Sequence, residues 1–197
     1  IASCLVGSEM CIRDSVHGWN SHANARKAQL IEHELKNHEI FDTASITLKN
    51  HPREAIKQLT EFISEKQSKY NVHLVGSSLG GYYSVFLAET LNLKAAMINP
   101  AVWAYKIFEN DRGDVENLNT GEKYFIDQAW IDSLEDIFIE NPTPDRYLVL
   151  LQTGDETLDY KYAEKYFSGA RIVIDEGGSH SFDGLEQKIP QILLHFS

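Results

Sequence analysis

The 197-residue chain is 43% hydrophobic, enough for one domain with a sizeable core. No apolar run approaches the ~20 residues that a membrane-spanning helix needs. A formal charge of −11 and a pI near 5.1 argue against nucleic acid as a partner, because displacing counterions from a phosphate backbone takes clustered Lys and Arg.

The first segment stands apart from the rest. The twelve consecutive residues Cys4-Leu5-Val6-Gly7-Ser8-Glu9-Met10-Cys11-Ile12-Arg13-Asp14-Ser15 resemble the translation of a transposase-type sequencing adapter read in one open frame. Residues 1–15 are therefore set aside as a non-native segment, and 16–197 are read as one domain. Both cysteines, Cys4 and Cys11, fall in the segment, so the chain from Val16 onward offers no disulfide or thiolate chemistry. A reducing, cytoplasmic setting fits that usage. A strand directly before Val16 would send Arg13 and Asp14 to opposite faces of a sheet, where unpaired burial of either charge costs several kcal/mol. The expectation is irregular structure there, or at most a short strand fragment near Val16.

Beyond the His17-Gly18-Trp19-Asn20 turn, apolar residues close to helical spacing predict a helix over 23–36. A β-branched, alternating run predicts a strand over 44–48. Proline at a helix start and the spacing of Ala55, Ile56, Leu59, Phe62 and Ile63 predict a helix over 52–69. A strand over 72–75, a helix over 82–91 and a strand over 95–98 follow. From 101 to 144 the pattern changes to aromatics among acidic residues, with a helix over 126–138, and reads as an inserted lid. Strand 147–151, helix 160–167, strand 171–174 and closing helix 184–196 resume the alternation. Strands alternating with helices imply an α/β fold: a parallel sheet covered by helices on both faces.

Gly76-Ser77-Ser78-Leu79-Gly80 fits G-x-S-x-G, set between an apolar strand and a helix-forming run. Small residues are needed there because the serine sits on a sharp strand-to-helix turn. Ser78 is the candidate nucleophile, and Ser77 is out of register for that role. A serine hydroxyl becomes a competent nucleophile when a base takes its proton and a carboxylate orients the base. In this motif's setting the partners follow in the order serine, acid, histidine. Asp155, just past strand 147–151, and His180, in the glycine loop past strand 171–174, meet that order. Asp159 and Glu156 lie within a turn of Asp155. Asp155 is favoured because it follows the strand most directly, with Asp159 the alternative. The backbone amides of Leu79 and of Trp19, in an H-G-x turn, are the candidate oxyanion donors.

The remaining histidines point to no metal. His33 and His38 are five apart, whereas one helix face presents residues four apart. His22, His51, His73 and His195 read as surface or helix-end residues. No glycine-rich nucleotide loop is present in the sequence, so no cofactor is expected.

Taken with Asn99-Pro100-Ala101, Leu151-Gln152-Thr153-Gly154-Asp155-Glu156 and Glu176-Gly177-Gly178-Ser179-His180-Ser181-Phe182, these motifs resemble those of the YqiA/YcfP-like family of small bacterial α/β-fold esterases, in family order over about 16–197. The resemblance implies an α/β-hydrolase fold, with Ser78, Asp155 and His180 as nucleophile, acid and base. It also implies hydrolysis of short-chain esters or acyl thioesters in the bacterial cytoplasm. The family begins with an apolar strand before its His-Gly turn, central in the sheet and beside the nucleophile strand, and here the adapter-like segment occupies that place. The leading function is therefore a cofactor-free carboxylesterase or acyl-thioesterase. A non-catalytic hydrolase-fold binding protein and a serine peptidase on the same fold are the alternatives.

Overall fold

The computed structural model describes residues 13–16, 26–35, 44–117 and 120–197. Six strands among them form a parallel sheet: β1 (Arg13–Val16), β2 (Ala44–Ser45), β3 (His73–Ser78), β4 (Ala95–Pro100), β7 (Tyr147–Gln152) and β8 (Arg171–Asp175), in the order β2-β1-β3-β4-β7-β8. Every residue of β4 and β7 is buried, as near-continuous apolar runs in the middle of a parallel sheet should be. At the edge, β8 is only partly covered.

The helices α1 (Arg26–Leu35), α2 (Pro52–Gln67), α3 (Leu79–Leu91), α6 (Tyr160–Tyr166) and α7 (Ile189–Phe196) connect these strands or flank them. Alternate strand residues feed two cores. Leu74, Met97, Val149 and Leu151 pack on one face beneath α2, α3 and α6, while Val75, Ile98, Leu148 and Leu150 pack on the other against Ile31 of α1 and Ile189, Ile192 and Phe196 of α7. The period-2 alternation is thus what makes one sheet hold two helical layers.

Strand β1 is short and lies between β2 and β3, pairing Arg13 with His73 and Val16 with Gly76. A short fragment near Val16 was expected, and its place beside β3, the strand that ends in Ser78, is the one that the family resemblance implies. The His17-Gly18-Trp19 turn, and with it the Trp19 amide, lies outside the described residues.

Residues 101–144 hold α4 (Ala104–Ile107), a single 3-10 turn (Phe108–Asn110), an antiparallel hairpin of β5 (Gly113–Glu116) and β6 (Lys123–Ile126), and α5 (Gln128–Glu135). The hairpin was not anticipated. Ile126, expected to open a helix, closes β6, and the Asp127 carboxylate caps α5 by accepting the Trp130 N–H at 2.8 Å. Helix α5 is built into the core: Trp130, Ile131 and Leu134 are buried, the Trp130 indole donates to the Asn50 carbonyl, and the Tyr82 hydroxyl donates to the Leu134 carbonyl at 2.7 Å.

One histidine expectation comes out differently. His51 caps α2 and His195 lies in the last turn of α7, as helix-end residues do. His73 instead opens β3 and stacks on Phe196, at 4.9 Å between ring centres. Burial, joined by Lys94 and His195, pulls its pKa down to about 4. It is a neutral packing residue at the end of the sheet opposite Ser78.

Candidate active site

Ser78 ends β3 and stands immediately before α3, with φ 54° and ψ −128°. A non-glycine residue in that region is strained by ~1–3 kcal/mol and persists only where its surroundings over-determine it. The surroundings here are glycines that let strand and helix touch. A Cβ on Gly76 would lie 2.5 Å from Ser84 Oγ and 2.7 Å from Gly81 Cα, and one on Gly81 would lie 2.7 Å from Pro100 Cβ. The Ser78 carbonyl accepts the Ala101 N–H at 3.0 Å, which ties the turn to the end of β4. Leu79 is the first residue of α3, so its amide belongs to a helix N-terminus, where backbone N–H groups lack intrahelical acceptors.

Asp155 follows β7 and His180 follows β8, so both lie past the carboxyl ends of their strands, at the edge of the sheet where Ser78 ends β3. The two meet directly: His180 Nδ1 is 2.8 Å from Asp155 Oδ2 and 3.0 Å from Oδ1. Asp155 Oδ1 also accepts the N–H groups of Thr157 and Leu158, each at 2.8 Å, and the side chain is only 2% exposed. Burial by itself would raise the Asp155 carboxyl, but the hydrogen bonds from His180, Leu158 and Thr157 outweigh it and hold the pKa below the usual carboxylate range. Asp155 is therefore an anion at neutral pH. An ionised acceptor makes Nδ1 the protonated nitrogen and leaves Nε2 as the basic one.

The neighbouring acids do other work. Asp159 caps α6 by accepting the Lys161 N–H at 3.1 Å. Glu156 accepts the backbone N–H of His180 at 2.9 Å, and that hydrogen bond keeps its carboxyl low.

Sequence reasoning missed Lys27. Its ammonium donates to Ser77 Oγ at 2.6 Å and to the His180 carbonyl at 3.1 Å, joining β3 to the loop that bears His180. Burial pulls its pKa down to about 8, against the opposing pull of the Asp155 carboxylate. Ser77 itself is buried at 3% exposure. No local motif marks Lys27, because its partners lie 50 and 153 residues away.

A cleft of about 360 Å³ adjoins these residues, its walls including Pro100, Val102, Trp103, Ile107, Leu158 and Tyr162. Pro100 is the sheet partner of Ser78, and Leu158 donates to Asp155. Helix α4 thus lines the cleft, while α5 packs into the core. Among the described residues no group of His, Cys, Asp and Glu could hold a metal ion, and no helix is long and apolar enough to cross a membrane.

A parallel sheet with a strained serine between β3 and α3, and with acid and histidine past later strands, defines the α/β-hydrolase fold, and solved structures bear this out. Est1E from Butyrivibrio proteoclasticus with ferulic acid bound matches with a TM-score of 0.75 at 15% identity, over 100% of this chain and 94% of that one. Alpha/beta hydrolase domain-containing protein 10 from mouse matches with a TM-score of 0.66 at 18% identity, over 100% and 94% of the two chains. The esterase domain of a Rhodothermus marinus protein matches with a TM-score of 0.64 at 16% identity, over 98% and 89%. The chain belongs to UPF0227, an uncharacterised protein family, whose model matches residues 15–197. This is the YqiA/YcfP family that the motifs resemble.

Proposed function

We propose that the chain is a serine hydrolase that cleaves a carboxylic ester or acyl thioester through Ser78, His180 and Asp155. The observation that carries the reading is the hydrogen-bonded Asp155–His180 pair, set past the carboxyl ends of the same sheet whose β3 ends in a strained Ser78. At φ 54° with ψ −128° Ser78 lies outside the left-handed helical well that Asn92 occupies as the cap of α3, and strain of that kind clusters at active sites. Neighbours of the same fold include one described as an esterase domain and one with ferulic acid bound, which supports ester chemistry.

In this reading His180 Nε2 takes the Ser78 hydroxyl proton as Oγ attacks the acyl carbon. Asp155 holds the imidazole in the required tautomer and stabilises the imidazolium that forms. The Leu79 amide receives the oxyanion, and the second donor is the one that the sequence assigns to Trp19. One such donor is worth ~2.7–4 kcal/mol of barrier where it has been measured. Collapse of the intermediate expels the alcohol or thiol with the proton from His180, and water then releases the acyl group by the same route in reverse. The cleft beside Pro100 and Leu158 takes an apolar part of the substrate, since such sites are mostly apolar with few polar groups.

A fluorophosphonate probe followed by mass-spectrometric mapping tests the reading. Covalent labelling at Ser78, together with turnover of p-nitrophenyl acetate, is expected. A folded chain that neither labels nor turns over would instead be a non-catalytic binding protein on this fold.

A further inference from the structure

The loop that carries His180 has little regular structure to hold it. Gly177 and Gly178 both have φ 76°, and Phe182 has φ 62°, so the chain reverses through three left-handed residues within six. Lys27 and Glu156 hold the His180 backbone itself, and from beneath the loop is held on either side of that residue by two polar side chains buried at the ends of central strands. Gln152, the last residue of β7, is 3% exposed, and Asn99, near the end of β4, is 2% exposed.

Gln152 Oε1 accepts the Ser179 N–H at 3.0 Å and the Asp183 N–H at 2.9 Å, while its Nε2 donates to the Asp183 carbonyl at 2.7 Å. The carboxamide therefore grips the loop on both sides of His180. Asn99 supports it: its Oδ1 accepts the Gln152 N–H at 3.0 Å and its Nδ2 donates to the Ser179 carbonyl at 3.0 Å. Asn99 holds φ 41°, a conformation that asparagine tolerates better than most residues. Gly178 completes the fit, because a Cβ there would overlap the Gln152 carboxamide. A buried polar group is retained at such a place only when its hydrogen bonds are made, and a satisfied network in a low-dielectric interior is rigid.

We propose that Gln152, seated by Asn99, is the positioning residue for the base, clamping the 179–183 backbone so that the His180 ring meets both Asp155 and Ser78. The proposal rests on the serine-hydrolase reading. Gln152 touches neither substrate nor reacting atoms on this account. Its loss should lower the rate at which a bound substrate reacts and leave binding nearly alone, since misplacing a reacting group by about 1 Å can cost on the order of 100-fold.

The test uses the full chain and two variants, each checked for cooperative thermal unfolding. Gln152→Met keeps the length of the side chain and removes every polar atom. Gln152→Glu keeps the two accepted amides but sets a carboxylate oxygen against the Asp183 carbonyl in place of the donated bond, a smaller change that remains informative if Gln152→Met fails to fold. The readouts are kcat and KM for p-nitrophenyl acetate and the rate of fluorophosphonate labelling at Ser78. Gln152→Met should lose roughly 10–100-fold in kcat and in labelling rate with KM within about twofold, and Gln152→Glu should lose roughly 3–10-fold. Wild-type kcat in either folded variant, or a loss confined to KM, overturns the clamp while labelling of the unaltered chain upholds Ser78. Failure of the unaltered chain to label or turn over overturns the hydrolase reading itself, and the clamp with it.

Discussion

Replacing Asp155 by asparagine changes one atom in the site and probes the base most directly. Asn Oδ1 can still accept the Thr157 and Leu158 amides, both at 2.8 Å, so the turn after β7 keeps two of its anchors. The new NH2 group faces His180 Nδ1, where the carboxylate stood at 2.8 Å. Two donors cannot share that contact, so the imidazole shifts its proton to Nε2 and loses the basic nitrogen that the proposed mechanism needs. In the serine-protease template the same exchange lowers kcat by about 10⁴, or ~5.4 kcal/mol, and a loss of that order is expected. Folding should suffer far less. One charge-assisted bond is weakened, costing about 1–2 kcal/mol and a few degrees of Tm. The pH dependence has a definite sign. The Asp155 carboxyl is held low in the folded chain, so its contribution to stability is present above the ordinary value of 3.8 and is lost as pH falls through the folded-state pKa. Melting curves of the wild type and Asp155→Asn should therefore converge in acid. Asp159→Asn is the control, because asparagine caps α6 as well as aspartate does. Ester turnover by both variants, each melted from pH 3 to pH 8, decides the matter. Comparable losses from the two, or less than tenfold from Asp155→Asn, would refute the assignment of the acid.

Other expectations follow from single contacts. Ser78→Ala and His180→Ala should each abolish turnover of a p-nitrophenyl ester, with the double variant no worse than either, since the two act as a unit. Ser78→Gly should be more stable than Ser78→Ala by about 1 kcal/mol, or roughly 2–4 °C in Tm, because glycine alone is at ease at φ 54°; equal melting temperatures would show that the turn is unstrained. Gly81→Ala, whose Cβ would press on Pro100, should cost about 1–3 kcal/mol in a denaturant titration and reduce turnover by displacing the Ser78 turn. Lys27 has a folded pKa of about 8 against 10.5 in the unfolded chain, so burying its charge costs stability below pH 8 and the cost is relieved as pH rises to 10.5. Relative to Lys27→Met, the wild type should gain up to about 3 kcal/mol over that interval, and parallel pH–stability curves would exclude a buried ammonium.

How far the sequence reaches depends on the range of the interaction concerned. Alternating strands and helices, the glycine-flanked Ser78 and the order Ser78, Asp155, His180 were all readable, because each rests on patterns within a few residues. The hairpin of β5 and β6 was lost among acidic residues, although its exposed and half-buried positions alternate and Gly121 at φ 71° marks its turn. Which carboxylate meets His180 was open in the sequence, for Asp155, Glu156 and Asp159 share a turn and each is a fair helix-start acid. Tertiary structure decided it by bringing β7 and β8 side by side, so that residues 25 apart in the chain come within 2.8 Å. The same holds for Gln152, Asn99 and Lys27, whose partners are 27 to 153 residues distant and are chosen by strand order rather than by any local signal. Local composition determines which segments can be strand, helix or elbow, and only the assembled sheet determines which side chains face one another across its carboxyl edge.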